Sequence, residues 1–269
     1  MERDIHSDIE GVIAEVYEEF GTQLERHVRR LREHGHPELA DRMQRLMHGV
    51  FCNDPLHTLR RGNIYLIGLN PVVGVHDLIQ DIGNVESLAW WRSQSQQSGR
   101  PYSAYIDKDC GSGAGRTPHQ SNVREVLHAV MGGESEEQDT RGAFATNLCF
   151  YRTLATTDLY DYPDWQAMVG ECWTFHLRFL SIIRPRLILC NGNGELFSAF
   201  SEIKKHFGIG AYQSEPVHCR RSLKWFCGTL PVDGVARVLV VGLSHLSQPY
   251  GSIDGICSAI RRIRATLGE

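Results

Sequence analysis

The stretch that decides the fold reads Ile-Tyr-Leu-Ile-Gly-Leu-Asn-Pro and spans residues 64–71. Its apolar side chains predict a buried strand, which ends where Pro71 fixes φ and removes a backbone donor. Because Pro71 also restricts the residue before it, Asn70 is held in an extended or turn conformation. Gly68 lets the backbone pass close to another group. We therefore expect one amide side chain at the carboxyl end of a core strand, where open α/β sheets bind ligands.

Strand-like runs alternate with helical patterns on both sides of this stretch. Further strands are predicted at 143–149, 186–192, 222–230 and 235–243, with a hairpin joining the last two. Helices are predicted near 4–33, 37–50, 117–131, 165–183, 195–207 and 253–264. This alternation predicts an α/β fold, a three-layer αβα arrangement around a mostly parallel sheet of about four to five strands. We predict a helical extension at residues 1–61, packed on an α/β domain at residues 62–269.

A long connection runs from Asn70 to about Pro118. It contains Trp90, Trp91 and a glycine-rich run at 111–115. Connections of this length inside a compact domain are usually functional or partly disordered. The glycine run does not follow a strand and is not followed by Gly-Lys-Ser/Thr, so a nucleotide-binding motif is unsupported. We interpret it as a flexible loop, and leave open whether it lines a pocket or touches a phosphate.

The composition is that of an ordinary folded protein. The chain has 269 residues, of which 42% are hydrophobic and 22% charged, and a net charge of −4. That charge argues against coating nucleic acid along the whole surface, but it leaves room for one local basic face. The chain has no apolar run long enough for a bilayer and no signal-peptide pattern, so a cytoplasmic protein is expected. The eight cysteines form no Cys-x-x-Cys pair, so neither a metal site nor another cofactor is predicted.

Three predicted strands end in polar residues of different types, namely Asn70, Asn147 and His245. Parallel strands align their carboxyl ends, so these side chains are expected to share one crevice. The set lacks the nucleophile of a protease triad and the ligands of a hydrolytic metal site. It suits recognition of an uncharged, hydrogen-bonding ring, together with one group that handles a proton. The alternative is that each residue is structural, since an Asn at such a position commonly caps the following turn or helix.

At these residues the chain resembles the uracil-DNA glycosylase superfamily, and within it the single-strand-selective monofunctional branch. Residues 68–71, Gly-Leu-Asn-Pro, are similar to the first motif of that branch, Gly-Met-Asn-Pro-Gly. Residues 241–247, Val-Gly-Leu-Ser-His-Leu-Ser, are similar to its second motif, an apolar strand followed by Gly-Leu-Met-His-Pro-Ser. Residues 146–149 resemble the strand end whose Asn reads the base, and residues 184–188 resemble the following helix-to-strand junction. The resemblance covers about residues 62–265 in the same order.

The resemblance implies a role for each of these residues. Asn70 would hold the attacking water, and His245 would donate a hydrogen bond to O2 of the departing base. Asn147 would pair with the Watson–Crick edge of the flipped base. The remaining substrate-binding set comprises Gly68, Leu69, Pro71, Val72, Trp90 and Trp91. Contacts to the DNA backbone and the vacated stack would come from Ser244, Ser247, Pro249 and Tyr250. Arg261, Arg262 and Arg264 are either phosphate contacts or a solvated helix face.

The sequence departs from the family pattern at three places. Val72 stands where the first motif has Gly, and Leu246 replaces the Pro of the second motif. Residues 82–83 are Ile and Gly, in the region where the family carries a stacking Phe. Another aromatic side chain should therefore form the wall against which the base stacks. The candidates for this wall are Trp90, Trp91 and His76.

These departures favour a DNA glycosylase for a modified pyrimidine. We predict a monomeric, monofunctional enzyme that flips the base out of DNA, hydrolyses its N-glycosidic bond and leaves an abasic site. A 5-substituted base, such as glucosylated hydroxymethylcytosine in phage DNA, would make it similar to the anti-phage glycosylases of the superfamily. The alternatives are housekeeping removal of uracil or hydroxymethyluracil, a catalytically silent module that binds modified DNA, or an unrelated α/β protein.

Overall fold

The structure is a computed structural model and is described for residues 2–46, 49–71, 86–196, 198–217, 221–232, 234, 236–247 and 253–266. Its centre is a sheet whose described strands are β1 (Tyr65–Gly68), β2 (Phe144–Asn147), β3 (Leu187–Asn191), β4 (Gln213–Val217), β5 (Arg221–Thr229) and β6 (Arg237–Leu243). Their order across the sheet is β2-β1-β3-β6-β5-β4. The first four are parallel to one another, whereas β5 and β4 are antiparallel to their neighbours.

The α/β class is confirmed, and four neighbouring parallel strands agree in part with the predicted sheet. The predicted number of four to five strands was wrong, because the sheet has six described strands and is mixed. The missed strand is β4, whose residues are exposed or half-buried and include Pro216. A polar edge strand of this kind carries no apolar run, and proline is tolerated there because one side of an edge strand has no partner.

The described helices lie before, between and after the strands, and several of them begin at a capping side chain. They are α1 (Glu2–Glu33), α2 (Pro37–Leu46), α3 (Pro55–Thr58), α4 (Leu88–Ser98), α5 (Pro118–Met131), α6 (Glu136–Gly142), α7 (Trp165–Ile183), α8 (Ala199–His206) and α9 (Asp254–Thr266), with a 3-10 helix at Thr156–Asp161. The predicted capping box of Thr117 and Gln120 at the start of α5 is confirmed, and Gly132 ends that helix in the left-handed conformation. The helix predicted at 165–183 has the observed bounds of α7.

The sequence did not predict the four-residue α3, nor α4 and α6, which are short and mostly polar. Helices α4 and α6 show why. Each begins with a serine, Ser87 or Ser135, whose hydroxyl accepts a hydrogen bond from a backbone N–H in the first turn. The helix predicted near 195–207 begins later, at Ala199, because Ser198 caps it. Local capping therefore determines these starts, while apolar periodicity is too weak in such short segments to reveal them.

Two hydrophobic clusters lie on the two faces of the sheet. Tyr65 and Ile67 belong to one cluster and Leu66 to the other, because successive strand side chains point to opposite faces. The first cluster contains buried residues of α1, α2, α7 and α8, and the second contains those of α5 and α9. Helices 1 and 2 thus share the core of the sheet, while the division of the chain at residue 62 remains a prediction. None of the described helices is long and apolar enough to cross a membrane.

Candidate active site

The carboxyl ends of the parallel strands bring the predicted polar residues to one edge of the sheet. Gly68, the last residue of β1, pairs in register with Asn147, the last residue of β2. His245 lies two residues beyond the end of β6. Neighbouring strands lie about 4.8 Å apart, so β1 and β6, which are separated by β3, are about 10 Å apart. Asn70, Asn147 and His245 therefore lie at the same edge, as the sequence predicted.

The side-chain amide of Asn70 is buried and held in one orientation. Its Nδ2 donates to Thr153 Oγ1 at 2.6 Å, and Thr153 Oγ1 donates to the Ala155 carbonyl at 2.7 Å. A hydroxyl has one hydrogen, so Thr153 can only accept from Asn70. The Asn70 Oδ1 is left as a buried acceptor with no hydrogen-bond partner among the described residues. Such an atom in a polar site is a place for a bound water or ligand group.

Asn147 is held from two sides. A Cβ at position 68 would lie 2.6 Å from Asn147 Oδ1, so any residue larger than glycine would displace this side chain. The close approach that Gly68 predicts is therefore made to Asn147. On the other side, Asn147 Nδ2 lies 3.6 Å from Cys52 Sγ. Burial raises the pKa of Cys52 to about 11, so the thiol is neutral at physiological pH.

A cavity of about 130 Å³ opens beside Asn147. Four of the predicted substrate-binding residues line it, namely Pro71, Trp90, Trp91 and Asn147. Residues that the sequence analysis missed complete the wall, chiefly Phe51, Cys52, Glu86, Tyr102, Lys108 and Arg152. Leu69, also in the predicted set, is buried in the hydrophobic core. The cavity is thus assembled from segments that are far apart in the sequence.

Residues 49–52 reach the cavity because they run alongside β2. The Cys52 N–H donates to the Ala145 carbonyl at 2.8 Å, and Phe51 forms an antiparallel bridge with Thr146. This segment lies within the predicted helical extension, to which the sequence analysis assigned no site residue. Nothing in its composition distinguishes it from an ordinary connection, and only its pairing with β2 reveals its place in the site.

Aromatic rings form one side of the cavity. Trp91 is fully buried, and its Nε1 donates to Tyr17 Oη of α1 at 2.7 Å. Trp90 is half-buried, and its ring lies 5.3 Å from that of Tyr102 in an edge-to-face arrangement. Phe51 packs edge-on against Trp91 with centroids 6.3 Å apart. Two of the three predicted wall candidates, Trp90 and Trp91, therefore line the cavity, and Phe51 and Tyr102 extend the aromatic surface.

A buried ion pair lies on the cavity wall. Arg152 Nη2 donates to Glu86 Oε1 at 3.0 Å, and Glu86 Oε2 accepts from the Val50 N–H at 3.1 Å. Burial raises the pKa of Glu86, while the guanidinium of Arg152 opposes that rise. The cavity therefore combines an aromatic side with a strongly polar one.

His245 presents a defined tautomer. Its Nδ1 accepts from the Ser247 N–H at 3.3 Å and lies 2.7 Å from Ser247 Oγ. A backbone N–H can only donate, so the neutral ring carries its proton on Nε2. Although His245 is exposed, neighbouring atoms partly desolvate its ring and lower its pKa, which favours that neutral form. Of the predicted DNA contacts, Ser247 thus bonds to His245, and Ser244 directly follows β6.

His119 is a neighbour of His245 that the sequence analysis missed. It lies in the first turn of α5, and the two imidazole rings stack with centroids 5.6 Å apart and planes 18° from parallel. Burial and the adjacent His245 lower the pKa of His119 to about 4. The sequence signal at this position was the capping box, which gives no indication of what the histidine faces.

Two amide side chains fix the loop that carries His245. The Leu246 N–H donates to Asn191 Oδ1 at 3.0 Å, and the Leu246 carbonyl accepts from Asn122 Nδ2 at 2.7 Å. Leu246 itself is fully buried. A proline at this position would have no N–H for Asn191. Hydrogen bonds with β3 and α5 therefore fix this loop without a proline.

Some predictions fall outside this geometry. Several predicted residues lie outside the described ranges, namely Val72, His76, residues 82–83, Pro249 and Tyr250.

The glycine run at 111–115 is a tight turn in which Asp109 Oδ1 accepts from the Gly111 and Gly113 N–H groups at 2.8 and 2.9 Å. These N–H groups are occupied by a carboxylate, so the structure does not support the hypothesis that they bind a phosphate.

The chain finds no match among protein-family models or curated proteins. In the described ranges, no group of three or more His, Cys, Asp or Glu side chains is placed to hold a metal ion.

Proposed function

We propose that this chain is a monofunctional DNA glycosylase that flips a modified pyrimidine out of DNA and hydrolyses its N-glycosidic bond. The observation that carries the proposal is the fixed Asn70 amide, whose buried Oδ1 lies at the same sheet edge as the Nε2–H of His245. Asn70 Oδ1 is an acceptor with no partner among the described residues, so it can hold a water. The Nε2–H of His245 is a donor, so it can stabilise the negative charge that develops on the leaving base.

The proposed reaction divides between these two groups. The water held by Asn70 Oδ1 attacks C1′ of the deoxyribose, and the bonding pair of the C1′–N1 bond leaves with the base. An amide does not accept a proton at neutral pH, so Asn70 positions the water, and the water's proton passes to solvent and the released base. His245 donates to O2 of the leaving base, and a preorganised donor of this kind is worth about 3–4 kcal/mol.

The cavity beside Asn147 supports a substituted base as the substrate. Asn147 offers an amide for the Watson–Crick edge, and the aromatic side offers a surface on which a base can stack. The Glu86 carboxylate can accept from a hydroxyl or amino group, and the Arg152 guanidinium can donate. This polarity favours a polar 5-substituted pyrimidine, such as hydroxymethylcytosine or its glucosylated form in phage DNA. The proposed enzyme acts as a monomer in the cytoplasm and uses no cofactor.

The test uses oligonucleotides that carry uracil, hydroxymethyluracil, hydroxymethylcytosine or glucosylated hydroxymethylcytosine, followed by alkaline cleavage of abasic sites. We expect strand breaks at a modified cytosine. Asn70→Ala and His245→Ala should each lower the single-turnover rate by about 100-fold or more. Gln97→Ala, an exposed change on α4, is the matched control and should leave the rate unchanged.

Four outcomes would contradict the proposal or part of it. Absence of breaks from every oligonucleotide would exclude the glycosylase, and tight binding without breaks would identify a silent binding module. Breaks at uracil or hydroxymethyluracil alone would favour the housekeeping alternative. Breaks that persist in both Asn70→Ala and His245→Ala would refute the site assignment.

A further inference from the structure

A second cavity, of about 350 Å³, lies at the opposite edge of the sheet from Asn70. It forms where residues 62–64 lead into β1 and Arg186 leads into β3, and residues at the end of α5 close it. β1 has four residues and therefore spans about 13 Å, which separates this cavity from the carboxyl edge. It is distinct from the cavity beside Asn147, with which it shares no lining residue among those described.

Four arginines surround this cavity, and we call it the arginine cavity. They are Arg60, Arg61, Arg186 and Arg264. The first three have exposed side chains, and Arg264 of α9 donates from Nη1 to the Val130 carbonyl at 3.4 Å. No Asp or Glu is present among the described residues that line it. In a chain with a net charge of −4, the exposed side chains of Arg60, Arg61 and Arg186 form a local concentration of positive charge.

Several other arginines on the described surface form ion pairs with carboxylates. Arg178 pairs with Glu19 at 2.7 Å, and Arg262 pairs with Glu215 at 2.9 Å. No ion pair joins Arg60, Arg61 or Arg186 to an acidic side chain in the described part of the chain. Clustered guanidinium groups repel one another, so an anion bound between them would relieve the repulsion.

The chemistry of the lining identifies the anion. Guanidinium groups stay charged at any physiological pH and bind phosphate oxygens in a bidentate fashion. The volume lies in the range of small-molecule sites, about 300–1,000 Å³. Ile64, Met131 and Leu187 add apolar surface for an uncharged part of the ligand. We propose that the arginine cavity binds a small polyphosphate of the nucleoside di- or triphosphate class, at a site separate from the one proposed for base excision.

The test is isothermal titration calorimetry, in which the full chain is titrated with inorganic pyrophosphate, with ATP and with a short single-stranded oligonucleotide. Pyrophosphate and ATP should bind to one site, and Arg60→Ala/Arg186→Ala should weaken both by about tenfold or more, since each charged hydrogen bond is worth about 1.5–3 kcal/mol. Arg29→Ala removes an exposed arginine of α1 and should change neither affinity. Arg61→Ala provides a second variant, whose affinity for pyrophosphate and ATP is measured by the same titration.

The proposal is overturned if neither pyrophosphate nor ATP binds at millimolar concentration. It is also overturned if both bind the arginine variants as tightly as the original protein. Loss of oligonucleotide binding alone in these variants would assign the cavity to the DNA backbone instead. None of these results depends on glycosylase activity, so the two proposals can fail separately.

Discussion

At the scale of single residues, Thr153 decides which end of the Asn70 amide is available. An amide can exchange its oxygen and nitrogen by a half-turn, and position in the chain does not distinguish the two states. Thr153 removes the ambiguity because its only hydrogen is donated to Ala155, so it must accept from Asn70 Nδ2. We infer that Thr153 is a positioning residue that keeps Oδ1 directed at the water.

This role predicts a specific pattern for two substitutions. Thr153→Val keeps the shape but removes the hydroxyl, so kcat should fall about tenfold to 100-fold while KM changes little, as expected for a lost hydrogen bond of about 1–3 kcal/mol. Thr153→Ser keeps the hydroxyl and should restore most of the rate. Rates are measured with the best oligonucleotide, and the exposed Thr157→Val serves as the matched control. Equal rates for the Val and Ser variants would refute the positioning role.

At the scale of elements, α1 belongs to the hydrophobic core that supports the site. Phe20 is fully buried, and its ring lies 5.5 Å from Phe150 and 4.8 Å from Tyr151. Further along the helix, His27 Nδ1 and Nε2 lie 2.9 Å from carboxylates of Asp164 and Glu171. These contacts join α1 to the segment that follows β2 and to the start of α7.

Removal of the Phe20 ring should therefore destabilise the whole fold. We expect Phe20→Ala to lower the free energy of unfolding by about 3–5 kcal/mol, because a buried aromatic ring is lost and a cavity remains. Urea denaturation followed by circular dichroism measures this change. Glu25→Ala, an exposed change on the same helix, should stay within about 0.5 kcal/mol of the original protein. A small effect of Phe20→Ala would mean that α1 is only loosely attached.

At the scale of the whole molecule, buried neutral histidines make stability depend on pH. Burial lowers the pKa of His119 to about 4, and burial also lowers the pKa of His176 to about 3. In the unfolded chain a histidine has a pKa of about 6.5. Between these values the unfolded state binds a proton that the folded state does not, so stability falls as the pH falls.

For His119 this linkage gives a measurable window. Above pH 6.5 the protonation of His119 does not change the free energy of unfolding. Below pH 6.5 it lowers that free energy, by about 3 kcal/mol near pH 4. His119→Phe keeps a ring against His245 but cannot take up a proton. The free energy of unfolding of this variant should therefore decline less steeply than that of the original protein between pH 6.5 and 4. The exposed His36→Phe is the control, and identical slopes for His119→Phe and the original protein would contradict the prediction.

The sequence by itself determined the features that depend on a few adjacent residues. The end of β1 just before Asn70-Pro71, the capping box of α5 and the bounds of α7 follow from backbone restrictions and local hydrogen bonds. The alternation of strands and helices also predicted the α/β class and the shared edge of Asn70, Asn147 and His245. It did not reveal β4, because a polar edge strand lacks the apolar pattern on which such predictions depend.

Only the tertiary structure decided which distant side chains meet. Thr153 against Asn70, His119 against His245, and residues 49–52 beside β2 are contacts between segments separated by dozens of residues. The arginine cavity likewise gathers its arginines from three separate parts of the chain. Local preferences act over a turn of helix or a few strand residues, whereas these contacts depend on strand order and on how the helices pack. The sequence therefore predicted the ends of the strands, and the packing between them decided what surrounds those ends.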